Sequence, residues 1–91
     1  MKDITVKLWA GDRANVHHVT IECNGKYIDL VFSYETLVAV NDVVSVNNWS
    51  KTTGRLLNEL EPYKNARVPH EEVLKAATQG LLEVVAAYNG D

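Results

Sequence analysis

Ninety-one residues, 46% of them apolar and 23% charged, make one domain (1–91), too hydrophobic to stay disordered and able to bury only about 60–65% of its unfolded surface. Nine Lys and Arg against 12 Asp and Glu leave a net charge of −3, which disfavours sequence-independent binding to nucleic acid and falls short of the dense acidity of a DNA mimic. The single cysteine, Cys23, excludes an internal disulfide and a several-cysteine zinc site. No apolar run approaches the ~20 residues of a membrane span, so a cytoplasmic protein (host cytoplasm if viral) with no membrane partner is expected.

The first half of the chain reads as strands. In 3–9, Ile4, Val6 and Leu8 alternate with Thr5 and Lys7, the period of a half-buried strand. Residues 10–14, AGDRA, read as a turn. Two alternating runs then flank Asn24-Gly25, a dipeptide suited to the type I′ turn because both positions need φ > 0. A two-residue loop fixes the register: Cys23 opposite Lys26, Ile21 opposite Ile28, Val19 opposite Leu30 and His17 opposite Phe32. One face is then apolar and the other mostly polar, a separation that a one-residue slip would scramble. A second hairpin is expected about Asn41-Asp42, pairing Val40 with Val43, Ala39 with Val44, Val38 with Ser45 and Leu37 with Val46. Both of its faces are largely apolar, so its strands should be central or covered on both sides.

After Trp49 the period becomes helical. Ser50 is a suitable N-cap, Leu56, Leu57 and Leu60 share one face, and Pro62 stops the helix; Trp49 would staple back on Thr53 or Leu57. Gly54 weakens this helix by about 1 kcal/mol relative to alanine, so it should be short. A longer helix should run from 69 to 88, with Pro69 at its first position, Glu71 and Glu72 in the first turn, and Asn89-Gly90 at its end. Its buried face should carry Val73, Ala77, Leu81, Val84 and Tyr88, flanked by Leu74, Leu82 and Val85. The fold class is therefore α+β: an antiparallel sheet of about five strands followed by a short and a long C-terminal helix packed on one face.

Few residues are grouped for chemistry. His17 and His18 are adjacent on a strand and point to opposite faces, and His70 lies far away in sequence, so no metal ligand spacing exists. Cys23 lies on an apolar strand face and reads as a core residue, and Ser33, Ser45 and Ser50 lack a nucleophile-elbow context. No cofactor is implied and no enzyme is expected. The densest polar and aromatic stretch is 47–60, NNWSKTTGRLLNEL. Its crowding is foremost that of a helix start, and is compatible with a binding surface built from Trp49, Lys51, Thr52 and Arg55, with Tyr34 and Tyr63 as aromatic neighbours.

The segments FSYETLVAV (32–40) and NNWSKTTGRLLN (47–58) resemble an uncharacterised family of small domains from phages, archaeal viruses and their hosts. The matching positions are Phe32, Ser33, Tyr34, Thr36, Val38 and Ala39, then Trp49, Ser50, Thr52, Thr53, Arg55, Leu57 and Asn58; Leu56 departs, standing where the family usually carries His. The resemblance implies a viral or mobile-element origin and brings no activity with it.

The expected function is a non-enzymatic, phage-type interaction module, an inhibitor or adaptor that binds a host or viral protein. The alternative is a nucleic-acid-associated accessory protein using Lys51, Arg55, Lys64 and Arg67. A homodimer is also expected, through the sheet edges and the doubly apolar hairpin of 37–46.

Overall fold

The computed structural model of the chain describes residues 3–10 and 13–90. Five strands, β1 (Thr5–Ala10), β2 (Val16–Cys23), β3 (Lys26–Ser33), β4 (Thr36–Val40) and β5 (Val43–Val44), form one sheet in sequence order with every neighbour antiparallel. They are followed by helix α1 (Lys51–Leu60), a 3₁₀ turn (Lys64–Ala66) and helix α2 (His70–Gly90). The turn expected at 10–14 falls in part on residues 11 and 12, outside the described residues.

Asn24 and Gly25 both have positive φ, 52° and 81°, and the β2–β3 ladder has the register that the turn dictates, from Cys23↔Lys26 to His17↔Phe32. The β3–β4 turn is less expected: Tyr34, a bulky residue, has φ 58°. Along this ladder Val31 faces Ala39 but Phe32 faces Leu37, so Val38 is the extra residue of a bulge.

The β4–β5 hairpin is shorter than its sequence suggests. Val40↔Val43 and Ala39↔Val44 pair, and the Ser45 N–H still donates to the Val38 carbonyl at 3.0 Å. The expected pairing of Leu37 with Val46 does not form. The Val46 N–H donates instead to the Val68 carbonyl (2.8 Å), and the Val68 N–H to that of Val44 (2.9 Å). A segment 22 residues downstream has captured the hydrogen bonds and lies along the β5 edge.

The long helix packs across one face of the sheet, as expected, and the short helix lies on the opposite face. Ile28 and Val31 are an odd number of residues apart on β3, so they face opposite sides. Ile28, Leu30, Val40 and Cys23 form one buried cluster with Val73, Ala77 and Val84 of α2; Val31, Val38, Ala39 and Val16 form another with Leu56 and Leu57 of α1. The doubly apolar β4–β5 hairpin explains this arrangement, because it needs cover on both faces.

The long helix is rotated from its expected setting. Val73, Ala77, Gly80 and Val84 are buried, whereas Leu81 and Tyr88 are exposed beside Leu74 and Val85. Gly80 sets this rotation: a Cβ there would lie 2.6 Å from Ile28 Cδ1, so the missing side chain is what lets the helix backbone approach the sheet.

Candidate functional site

The stretch 47–60 is built around α1. Ser50 caps the helix in an extended conformation (φ −100°, ψ 171°), its Oγ accepting the Thr53 N–H at 3.3 Å. Behind the cap, the Asn47 side chain braces the loop. Its Oδ1 accepts the Trp49 N–H (2.9 Å) and its Nδ2 donates to the Ser50 carbonyl (3.2 Å). A Cβ on residue 54 would lie 2.9 Å from Asn47 Nδ2, so Gly54 gives up helix propensity to admit this brace.

Beneath the first turn, the hydroxyls of Ser33 and Thr53 hydrogen-bond at 2.8 Å, both residues being buried, and Asn15 Nδ2 donates to Ser33 Oγ at 3.4 Å. Burying hydroxyls requires that they satisfy one another, and this set fixes α1 to the end of β3. Ser33, Ser50 and Thr53, three of the residues that carry the family resemblance, are thus structural here.

Trp49, expected to staple onto α1, makes its ring contact with His70 instead, edge to face with centroids 5.0 Å apart. The His70 Nε2 lies 2.8 Å from the Leu37 carbonyl oxygen. The pair ties the start of α1 to the start of α2, and Trp49 remains 37% exposed.

Lys51 and Arg55 stand one turn apart on the outer face of α1, both exposed. Among the described residues neither has a carboxylate partner, since Glu59, four residues beyond Arg55, is paired with Arg13. On one flank of α1 a hollow of about 360 Å³ is lined by Asn47, Gly54, Asn58, Lys64 and Arg67. Arg67 is held there by Nε donating to the Glu61 carbonyl (2.9 Å) and Nη2 to Asn58 Oδ1 (2.6 Å), with Lys64 beside it and without a carboxylate partner among the described residues. Between residues 46 and 70, four cations stand against two carboxylates, in a chain that is net acidic.

Apart from Trp49, held on His70, the expected site residues fall into three groups. Lys51, Thr52 and Arg55 share the exposed side of α1. Tyr34, 59% exposed, flanks its first turn, because the preceding Ser33 bonds to Thr53. Tyr63 lies past the C-terminal end beside Lys64, about 15 Å along the helix from Lys51. Asn47 was not legible as a site residue, although Asn before a helix cap is a known loop-bracing signal.

A second hollow, of about 540 Å³, opens on the same side of the sheet, between Trp9, His18, Asp29, Asn41 and Leu60. Within it, Asp29 accepts the Thr20 hydroxyl at 2.6 Å and its N–H donates to Asn41 Oδ1.

His17 and His18 lie on opposite faces of β2, paired with Phe32 and Val31, and no three His, Cys, Asp or Glu come together among the described residues. No described helix is long and apolar enough to cross a membrane. The hairpin expected to drive self-association is buried within the single chain, Val38, Ala39, Val40 and Val44 being 4% exposed or less.

The model of DUF8033, a family of unknown function, matches residues 5–75, spanning the sheet, α1 and the first part of α2. The chain belongs to that family. The matched region contains all of the α1 site, whereas the last turns of α2 lie beyond it. No curated protein and no solved structure matches the chain.

Proposed function

We propose that this DUF8033 protein is a non-enzymatic interaction module that docks an acidic segment of a partner protein on the outer face of α1. The observation that carries the reading is the pair Lys51 and Arg55. Two like charges at i,i+4 cost a helix about 0.2–0.5 kcal/mol, and here no described carboxylate offsets the repulsion. Such a pair contributes nothing to the fold, and an acidic partner would relieve it. Lys64, Arg67 and the amide of Asn58 extend the same electropositive surface.

Tyr34 supports the reading independently. An L-residue in the left-handed region costs roughly 1–2 kcal/mol, and glycine would serve this turn better. A strained, exposed tyrosine beside the cationic face suits an aromatic contact with a partner, the role in which tyrosine most often dominates interface energy. Tyr63 serves the same role at the other end, and Trp49 forms the rim. The resemblance to phage and archaeal-virus domains points to a host or viral protein as the partner, bound in the cytoplasm as an inhibitor or adaptor would be.

Nucleic acid is the competing occupant, favoured by the four cations Lys51, Arg55, Lys64 and Arg67. The protein partner is preferred because the remainder of the chain is net acidic, with five Lys and Arg against ten Asp and Glu, and disfavours an extended phosphate backbone. Fluorescence anisotropy with a labelled Glu/Asp-rich peptide containing one aromatic residue, and with a single-stranded oligonucleotide, separates the two. The reading expects the peptide to bind and Arg55→Glu to abolish binding. Preferential oligonucleotide binding, weakening by orders of magnitude between about 50 and 200 mM salt, overturns it.

A further inference from the structure

The sheet has two edges and protects only one. The β5 edge is covered by the Val68 segment, whereas no described element lies along β1. The hairpin turn at Asn24-Gly25 makes Ile21↔Ile28 a hydrogen-bonded pair, so across the other ladder Val6↔Ile21 is a non-hydrogen-bonded pair. The N–H and C=O groups of Val6 and Leu8 therefore point away from the sheet. A row of free backbone groups is a template for another strand.

This edge is also apolar. Ile4, Val6 and Leu8 share the face of the sheet on which α2 packs, and they are 46%, 55% and 78% exposed. With β3 running upward and α2 in front, β2 and β1 lie to the right. The helix descends from Leu37, bonded to His70, to the Asn24 turn, bonded to the Ala87 carbonyl. In a right-handed helix so placed, Leu74, Leu81 and Val85, about 80–120° round from Val73, point to the right as well. An apolar trough thus runs between the α2 flank and the open strand.

We infer that a second copy of this chain occupies the β1 edge, pairing antiparallel about a two-fold axis through Val6. An isologous contact needs a self-complementary strand, and this register supplies one. It sets Val6 against Val6 and Ile4 against Leu8, joining the two apolar rows on one face. On the other face it sets Lys7 opposite the neutral Thr5, with Asp3 and Lys7 of the second copy as its two diagonal neighbours ~7–8 Å away, so no like charges stand directly opposite. A centre at Lys7 would place two ammonium groups face to face. The ladder over residues 3–9 is ~24 Å long and buries on the order of 400–500 Å² per copy, about half a standard interface, as suits a reversible dimer rather than an obligate one. The edge lies apart from Lys51 and Arg55, so this inference stands or falls separately from the proposed function.

Sedimentation velocity from low to several hundred micromolar protein is the test, with Val6→Glu, Val6→Cys and Leu8→Cys compared after oxidation. Wild type is expected to shift from monomer to dimer, and Val6→Glu to stay monomeric with an unchanged melting temperature. Val6→Cys should crosslink, because its Cα atoms would be ~5.5 Å apart, within disulfide reach, whereas Leu8→Cys, ~14 Å from its copy, should not. A wild type that is monomeric throughout, a dimer that survives Val6→Glu, or crosslinking of Leu8→Cys in place of Val6→Cys would each overturn the inference.

Discussion

Gly80→Ala sets two effects of known size against each other. In an exposed helix interior the substitution would stabilise by about 1 kcal/mol, since glycine has the larger conformational entropy to lose. At this position the new Cβ would meet Ile28 Cδ1 at 2.6 Å and Cγ1 at 3.1 Å. The Cδ1 methyl can swing aside only into a fully buried environment, and overpacking of this kind costs about 1–3 kcal/mol. The expected net effect is a destabilisation of roughly 0–2 kcal/mol, which at about 4–8 °C per kcal/mol for a domain of this size lowers Tm by up to roughly 8–16 °C. Ile28→Val removes Cδ1 at a cost of about 0.5–1.5 kcal/mol, and in that background Gly80→Ala should be neutral or stabilising. Urea denaturation of the four proteins closes a double-mutant cycle whose coupling should favour the double variant by about 1–2 kcal/mol. If Gly80→Ala stabilises the wild type as it would an exposed site, and the coupling is zero, α2 does not approach β3 as described.

Three further outcomes follow from the same packing. Thr53→Val leaves the buried Ser33 hydroxyl with only the long bond from Asn15, and should cost about 1–3 kcal/mol in chemical denaturation; adding Ser33→Ala should recover part of the loss. Ser50→Ala removes the cap of α1 and should cost about 1 kcal/mol, read as a shift in urea midpoint without a change in slope. Tyr34→Gly relieves the left-handed backbone and should stabilise by up to about 1 kcal/mol while weakening partner binding, a split that a purely structural tyrosine would not give.

The sheet was legible because its signals are local. Asn24-Gly25 fixes both the turn and the register, and Ser50, Pro62 and Pro69 punctuate the helices. What escaped was non-local. That Val46 bonds to Val68 rather than Leu37 depends on a segment 22 residues away, and sequence alternation holds no trace of it. Helical spacing also admits Leu81 to the buried face of α2; only the contact of Gly80 with Ile28 decides that the stripe is centred one residue earlier. The opposite placement of the helices was implicit in the doubly apolar β4–β5 hairpin, which one layer of helices could not cover. At the candidate site, the crowding of 47–60 proved to have two separable causes. Asn47, Ser50, Thr53 and Gly54 build the helix start, and Trp49 bridges to His70. Lys51 and Arg55 are left without a structural task among the described residues.

The most direct test of the docking face is affinity capture from a nuclease-treated bacterial lysate, comparing tagged wild type with the Lys51→Glu/Arg55→Glu variant. The variant should fold normally, because both side chains are exposed on a solvent-facing helix. The account predicts a discrete protein retained by the wild type after nuclease treatment and lost with the double variant. Capture of nucleic acid alone, of nothing beyond the protein itself, or of a partner held equally by both forms would contradict it.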